Sequence, residues 1–85
     1  MTIQDLQAIL QKHKVDTSYY RIMEQRPMVG EIYIDLTETQ GEYLAKTIER
    51  MQVIAERHFS DEASACQYVL KELAYDYPVL KQYFC

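Results

Sequence analysis

Between Val29 and Thr37 the chain alternates, with Ile32, Ile34 and Leu36 on one side of an extended backbone and Tyr33, Asp35 and Thr37 on the other. A period of two fits a strand with one buried and one wet face, and a helix would mix the two sets. Such a strand needs partners, because two-stranded ribbons are marginal in water and three or more strands are needed to cover a helix layer. The 85 residues leave room for one domain, residues 1–85. Its surface should fall from about 14,600 Å² unfolded to about 5,300 Å² folded. With 48% apolar residues, 2 Gly and 2 Pro, the composition supports a small core and excludes disordered and collagen-like classes.

Before the strand, residues 3 to 14 read as an amphipathic helix. Ile3, Leu6, Ile9 and Leu10 recur at helical spacing, Thr2 is a suitable N-cap, and Asp5 suits the positive helix end. Asp16-Thr17-Ser18 breaks the pattern, and Tyr19-Tyr20-Arg21-Ile22-Met23 is short and β-prone. After it, Gly41 is free to take the positive φ of a hairpin loop. Phe59-Ser60-Asp61-Glu62 reads as a helix start with Ser60 as the cap. The helix should bury Ala63, Cys66, Val69, Leu70 and Leu73 and stop before Pro78. Val79 to Phe84 can add one turn folded back on the domain.

Residues 42 to 59 admit two readings. As a helix, Leu44, Ile48, Met51 and Ala55 share a face and Glu42–Lys46 is a favourable pair. As a hairpin, residues 43–48 and 52–59 are strands joined near Arg50-Met51. The hairpin completes the sheet. The expected architecture is then α+β: a small antiparallel sheet of three to four strands, with an N-terminal and a C-terminal helix packed on one face.

The formal charge is −4. Nine Lys and Arg residues lie scattered among carboxylates, so the basic face that nucleic-acid binding requires is not expected. No apolar run approaches the roughly 18 residues of a membrane span, and the first residues lack the pattern of a signal peptide. Cys66 falls on an apolar helix face and Cys85 is the last residue, which points to a reduced, cytoplasmic chain without a structural disulfide. His13 and His58 lie on separate elements, with no ligand spacing for a metal. No cofactor is expected.

Parts for catalysis are few. A Cys66–His58 dyad can be drawn, but a thiol on an apolar stripe behaves as an inert hydrophobe. Gly30 and Gly41 stand alone rather than in a phosphate loop, and no enzyme is expected. The eight tyrosines without a tryptophan are either boundary residues of a small core or interface anchors. Tyr33 and Asp35, on the strand face opposite Ile32, Ile34 and Leu36, are the sharper candidates for docking a basic partner.

Glu49-Arg50-Met51, seven residues, and then Phe59-Ser60-Asp61-Glu62-Ala63-Ser64-Ala65-Cys66-Gln67-Tyr68-Val69 resemble the C-terminal half of small immunity proteins. These are encoded beside bacterial polymorphic toxins of the contact-dependent inhibition and Rhs types. The resemblance covers about a quarter of the chain; Met51 stands where that pattern has Gly, and Tyr43 where Trp is common. It favours the hairpin reading of residues 42–59. It implies a cytoplasmic antitoxin that binds a cognate toxin domain, often a nuclease with a basic surface, and blocks its active site or substrate access. It assigns no individual residue. From the residues themselves, the toxin-binding candidates are Tyr33, Asp35, Glu38, Glu42 and Glu49. Asp35→Lys with Glu38→Lys is expected to slow association while leaving the fold intact. The alternative is a generic interaction or regulatory subunit without catalytic activity, pairing as a homodimer through an edge strand or the Tyr-rich C-terminus.

Overall fold

The computed structural model describes residues 1–84. Helix α1 spans Ile3–Lys12, strand β1 Tyr20–Ile22, β2 Ile32–Thr39, β3 Glu42–Glu49, β4 Gln52–Phe59 and helix α2 Glu62–Leu73. Single stretches of 3-10 helix cover Thr17–Tyr19 and Pro78–Tyr83. The α+β class expected from the sequence is the one observed, and residues 42–59 form the hairpin and not the helix. Cys85, read above as a terminal free thiol, lies outside the described residues.

The sheet order is β1-β2-β3-β4. Its last three strands form an antiparallel meander, while β1 runs parallel to β2 with Tyr20 beside Ile34 and Ile22 beside Leu36. The sheet is therefore mixed rather than wholly antiparallel. A parallel neighbour normally needs a long crossover, but β1 is three residues long and its end stands beside Leu36, so the return to Ile32 is short. Residues 23–31 cover it without a helix. Two arginines hold this return loop. Arg26 donates from Nη2 to the carbonyls of Thr17 (2.8 Å) and Tyr20 (2.7 Å), and Arg21 Nη1 donates to the Arg26 carbonyl at 2.8 Å. Gly30 is needed where the loop closes on the 3-10 turn, because a Cβ there would lie 2.6 Å from the Ser18 carbonyl oxygen.

Both hairpins turn through two residues with positive φ: Gln40 (53°) with Gly41 (82°), and Arg50 (52°) with Met51 (68°). Two positive φ values define the mirror-image turn whose twist matches a hairpin. Gly41 takes this conformation without strain, whereas Met51 carries a Cβ into it while standing 96% exposed. Met51→Gly is accordingly expected to stabilise the protein by about 0.5–1 kcal/mol. A urea midpoint that stays put or falls would contradict this.

Helix α1 opens on a capping box: Thr2 Oγ1 accepts from the Asp5 N–H and Asp5 Oδ2 accepts from the Thr2 N–H. Helix α2 is capped by Asp61, which accepts from the Ser64 N–H at 2.8 Å, and not by Ser60. Glu62 then reaches back to accept the Ile3 N–H at 2.7 Å, so the positive ends of both helices share one carboxylate. The core stripe of Cys66, Val69, Leu70 and Leu73 continues to Ala65, four residues before Val69, while Ala63, expected in the core, is exposed.

Leu6 and Leu10 from α1, the α2 stripe, and Ile34, Leu36 and Ala45 from the sheet form one core, closed at the end of the chain by Leu80. Both helices thus cover the same sheet face. Burial pushes the Cys66 thiol up to about 11, as suits a structural thiol. Tyr20 is buried, and Tyr19, Tyr43, Tyr68, Tyr77 and Tyr83 are partly buried around the core. Two of these carry specific bonds: the Tyr83 hydroxyl meets His13 Nε2 at 2.7 Å, and the Tyr77 hydroxyl accepts the Asp16 N–H at 3.2 Å. Among the described residues no helix is long and apolar enough to cross a membrane.

Candidate protein-binding surface

Strand alternation places Arg21, Tyr33, Asp35, Thr37, Leu44, Lys46, Ile48, Glu56 and His58 on the sheet face that the helices leave uncovered. Across its middle, Arg21 stands beside Asp35, Asp35 opposite Lys46, and Lys46 opposite Glu56. Opposite charges facing each other across strands are favourable, and within this row Arg21 and Asp35 form a salt bridge. Next to it, Tyr33, Ile48 and Val53 lie in line across three strands. Ile48 is only 8% exposed although it stands apart from the helix-covered core, so this apolar strip buries its own centre. The Arg21 guanidinium lies over the Tyr33 ring, 5.4 Å from its centroid.

Asp35 is not the solvated carboxylate that its position in the alternation suggests. It is 6% exposed, and Oδ1 accepts from Arg21 Nε at 2.7 Å. The cause is β1, which lays the Arg21 side chain directly against it. Glu42 is on the same open face and holds His58 at Nδ1, while Glu56 faces His58 Nε2 at 3.2 Å. Glu38 lies on the opposite sheet face at the first hairpin and accepts the Gly41 N–H at 2.7 Å. Glu49 also points to that opposite face, at the other end of the strand, directly across from Ile32. The structure therefore brings Tyr33, Asp35 and Glu42 onto one surface and separates Glu38 and Glu49 from them. Sequence reading missed Arg21, Lys46 and Ile48 on the open face, because their sidedness depends on the register of β1 and β3.

The His58 imidazole is held above its ordinary value by its hydrogen bonds to Glu42 and then to Glu56. Its folded state therefore favours the proton. The stabilisation is complete below about pH 6.5, the ordinary imidazole value, and is lost as the pH rises through the higher folded one. An NMR titration of the His58 ring should give a midpoint above about 6.5 that falls in Glu42→Gln. A midpoint indifferent to that substitution would remove the cluster as its cause.

Strand β4 forms one edge of the sheet. Its pairing with β3 is regular from Phe59 to Ala55 and then slips, so that Ile48 faces Val53 and Ile54 is the extra residue of a bulge. Among the described residues, no group of three His, Cys, Asp or Glu side chains is placed to hold a metal ion. Compared with protein-family models, curated proteins and solved structures, the chain finds no match.

Proposed function

We propose that this chain is a non-enzymatic immunity protein, which binds a cognate bacterial toxin domain in the cytoplasm and blocks its active site or its substrate's access. The observation that carries this reading is the uncovered sheet face, where an apolar strip of Tyr33, Ile48 and Val53 runs beside a row of charge. Apolar and aromatic anchors flanked by polar groups are how a small protein builds a tight interface. The −4 charge favours encounter of the chain as a whole with a basic partner such as a nuclease, and the sequence resemblance supplies the class of partner.

Co-expression with the protein encoded immediately upstream, followed by gel filtration and a growth assay, tests the reading. A stable complex that restores growth is the expected result. An upstream protein that neither binds nor poisons the cell would overturn it. The second reading, a homodimeric interaction subunit, is favoured by the eight-residue edge strand β4. Light scattering separates the two, since a dimer would show twice the monomer mass with no partner present.

A further inference from the structure

Carboxylates on a folded chain usually have internal work, and here most of them do. They cap helices, pair with cations or accept backbone N–H groups. Among the described residues, the carboxylates with no such partner are Glu31, Glu49, Glu72 and Asp76. These four are distant in sequence yet gather at one end of the molecule, around Ile32. Glu31 precedes Ile32, Glu49 is its direct partner across the sheet, and Glu72 and Asp76 line a cleft with it.

That cleft, about 210 Å³ in volume, lies between the C-terminal end of α2 and the start of the helix-covered sheet face. Ile32, Ile34 and Leu73 contribute apolar lining, and Tyr75, 84% exposed, stands among its lining residues. No Lys or Arg is among the lining residues. The Thr47 side chain also lines it, and its Oγ1 is buried with no hydrogen-bond partner among the described residues. A buried hydroxyl without a partner is unusual in a native structure.

Glu72 lies in the last turn of α2, where the helix carbonyls already make the end negative and a carboxylate is unfavourable. Asp76 adds a second negative charge in the turn beyond it. Residues that break a local rule without an internal gain are often those that function requires.

We propose that this cleft receives a lysine or arginine side chain of the protein partner. Its aliphatic stem would lie along Ile32, Ile34 and Leu73, and its charge would sit between Glu72 and Asp76, with Glu49 across the sheet from Ile32 nearby. An exposed tyrosine at the mouth adds a ring face for the cation. The proposal rests on the reading of a basic protein partner and assigns that partner's anchor a seat at the end of the sheet, which meets the open face only at Tyr33.

The test uses the ¹⁵N-labelled chain titrated with N-acetyl-arginine amide and N-acetyl-lysine amide, with N-acetyl-glutamine amide as the neutral control. Expected are amide shifts confined to the neighbourhoods of Ile32, Thr47 and Glu72 to Asp76, absent with the control. They should weaken about fivefold in Glu72→Gln with Asp76→Asn. That double variant should melt no lower than the parent, because repulsion is removed. Tyr75→Ala, which alters only an exposed ring, gives a second variant with the same expected direction. Shifts centred on the open face, equal shifts with the neutral control, or no shifts at all would overturn the proposal. In the complex with the upstream protein the two readings separate. Unchanged affinity of the double variant, with growth still rescued, rejects the cleft and leaves the immunity function standing. A cation seated in the cleft without any toxin rescue rejects the immunity function and leaves the cleft.

Discussion

Asp35→Ala is expected to lower the unfolding free energy by about 2–4 kcal/mol, although the residue lies on the sheet face that no helix covers. The loss follows from what remains behind. Arg21 would keep its bond to the Arg26 carbonyl but lose the one carboxylate it pairs with among the described residues, in a position where its side chain is 23% exposed. That partial exposure lets water recover some of the charge, which keeps the loss below that of a fully buried pair. Asp35→Lys should cost more, since it would place a third cation between Arg21 and Lys46. The charge-reversal pair Asp35→Lys with Glu38→Lys therefore tests folding before it tests binding, contrary to the expectation drawn from strand alternation alone. Denaturant unfolding of Asp35→Ala and Arg21→Ala, singly and together, checks it. A double variant no worse than either single one indicates a true pair, whereas losses below about 0.5 kcal/mol would place the contact among ordinary surface ion pairs.

Leu80→Ala should cost about 2–5 kcal/mol, the range for removing a buried leucine side chain. Leu80 sits in a six-residue stretch of 3-10 helix, which has little stability of its own. Yet it is fully buried and closes the core formed by Leu6, Leu10 and Leu70. In a domain of this size each kcal/mol lowers the melting temperature by about 4–8 °C, so the variant should melt at least about 8 °C below the parent. Val79→Ala, one residue away and about half exposed, is the matched control. A loss under about 1 kcal/mol for Leu80→Ala would mean that the C-terminal stretch frays without disturbing the core.

Much of the architecture was legible because it is local. The alternation of Ile32, Ile34 and Leu36, the positive φ at Gly41 and the two helix stripes all depend on neighbours within a few residues. Residues 42–59, by contrast, fit a helix locally as well as a hairpin, and only the needs of the sheet and the resemblance favour the hairpin. What could not be read depends on contacts across the chain. Asp35 and Arg21 are fourteen residues apart, and nothing in either segment announces that a parallel strand joins them. The missed cap has a smaller cause: Ser60 and Asp61 are adjacent and both good caps, so only the backbone decides. The four unpartnered carboxylates were invisible for a different reason. Which acids are free emerges only once every other acid has found its donor.

The parallel placement of β1 also bears on the order in which the molecule assembles. The β2-β3-β4 meander and α2 form one continuous run of chain, residues 32 to 73, closed by two-residue turns, and short loops close quickly. Helix α1 and β1 are made first on the ribosome but have nothing to bury against until that run exists. They should dock late in folding, and amide exchange should find β1 less protected than β3. An N-terminal fusion that delays docking would then slow the last step of folding and leave the meander intact.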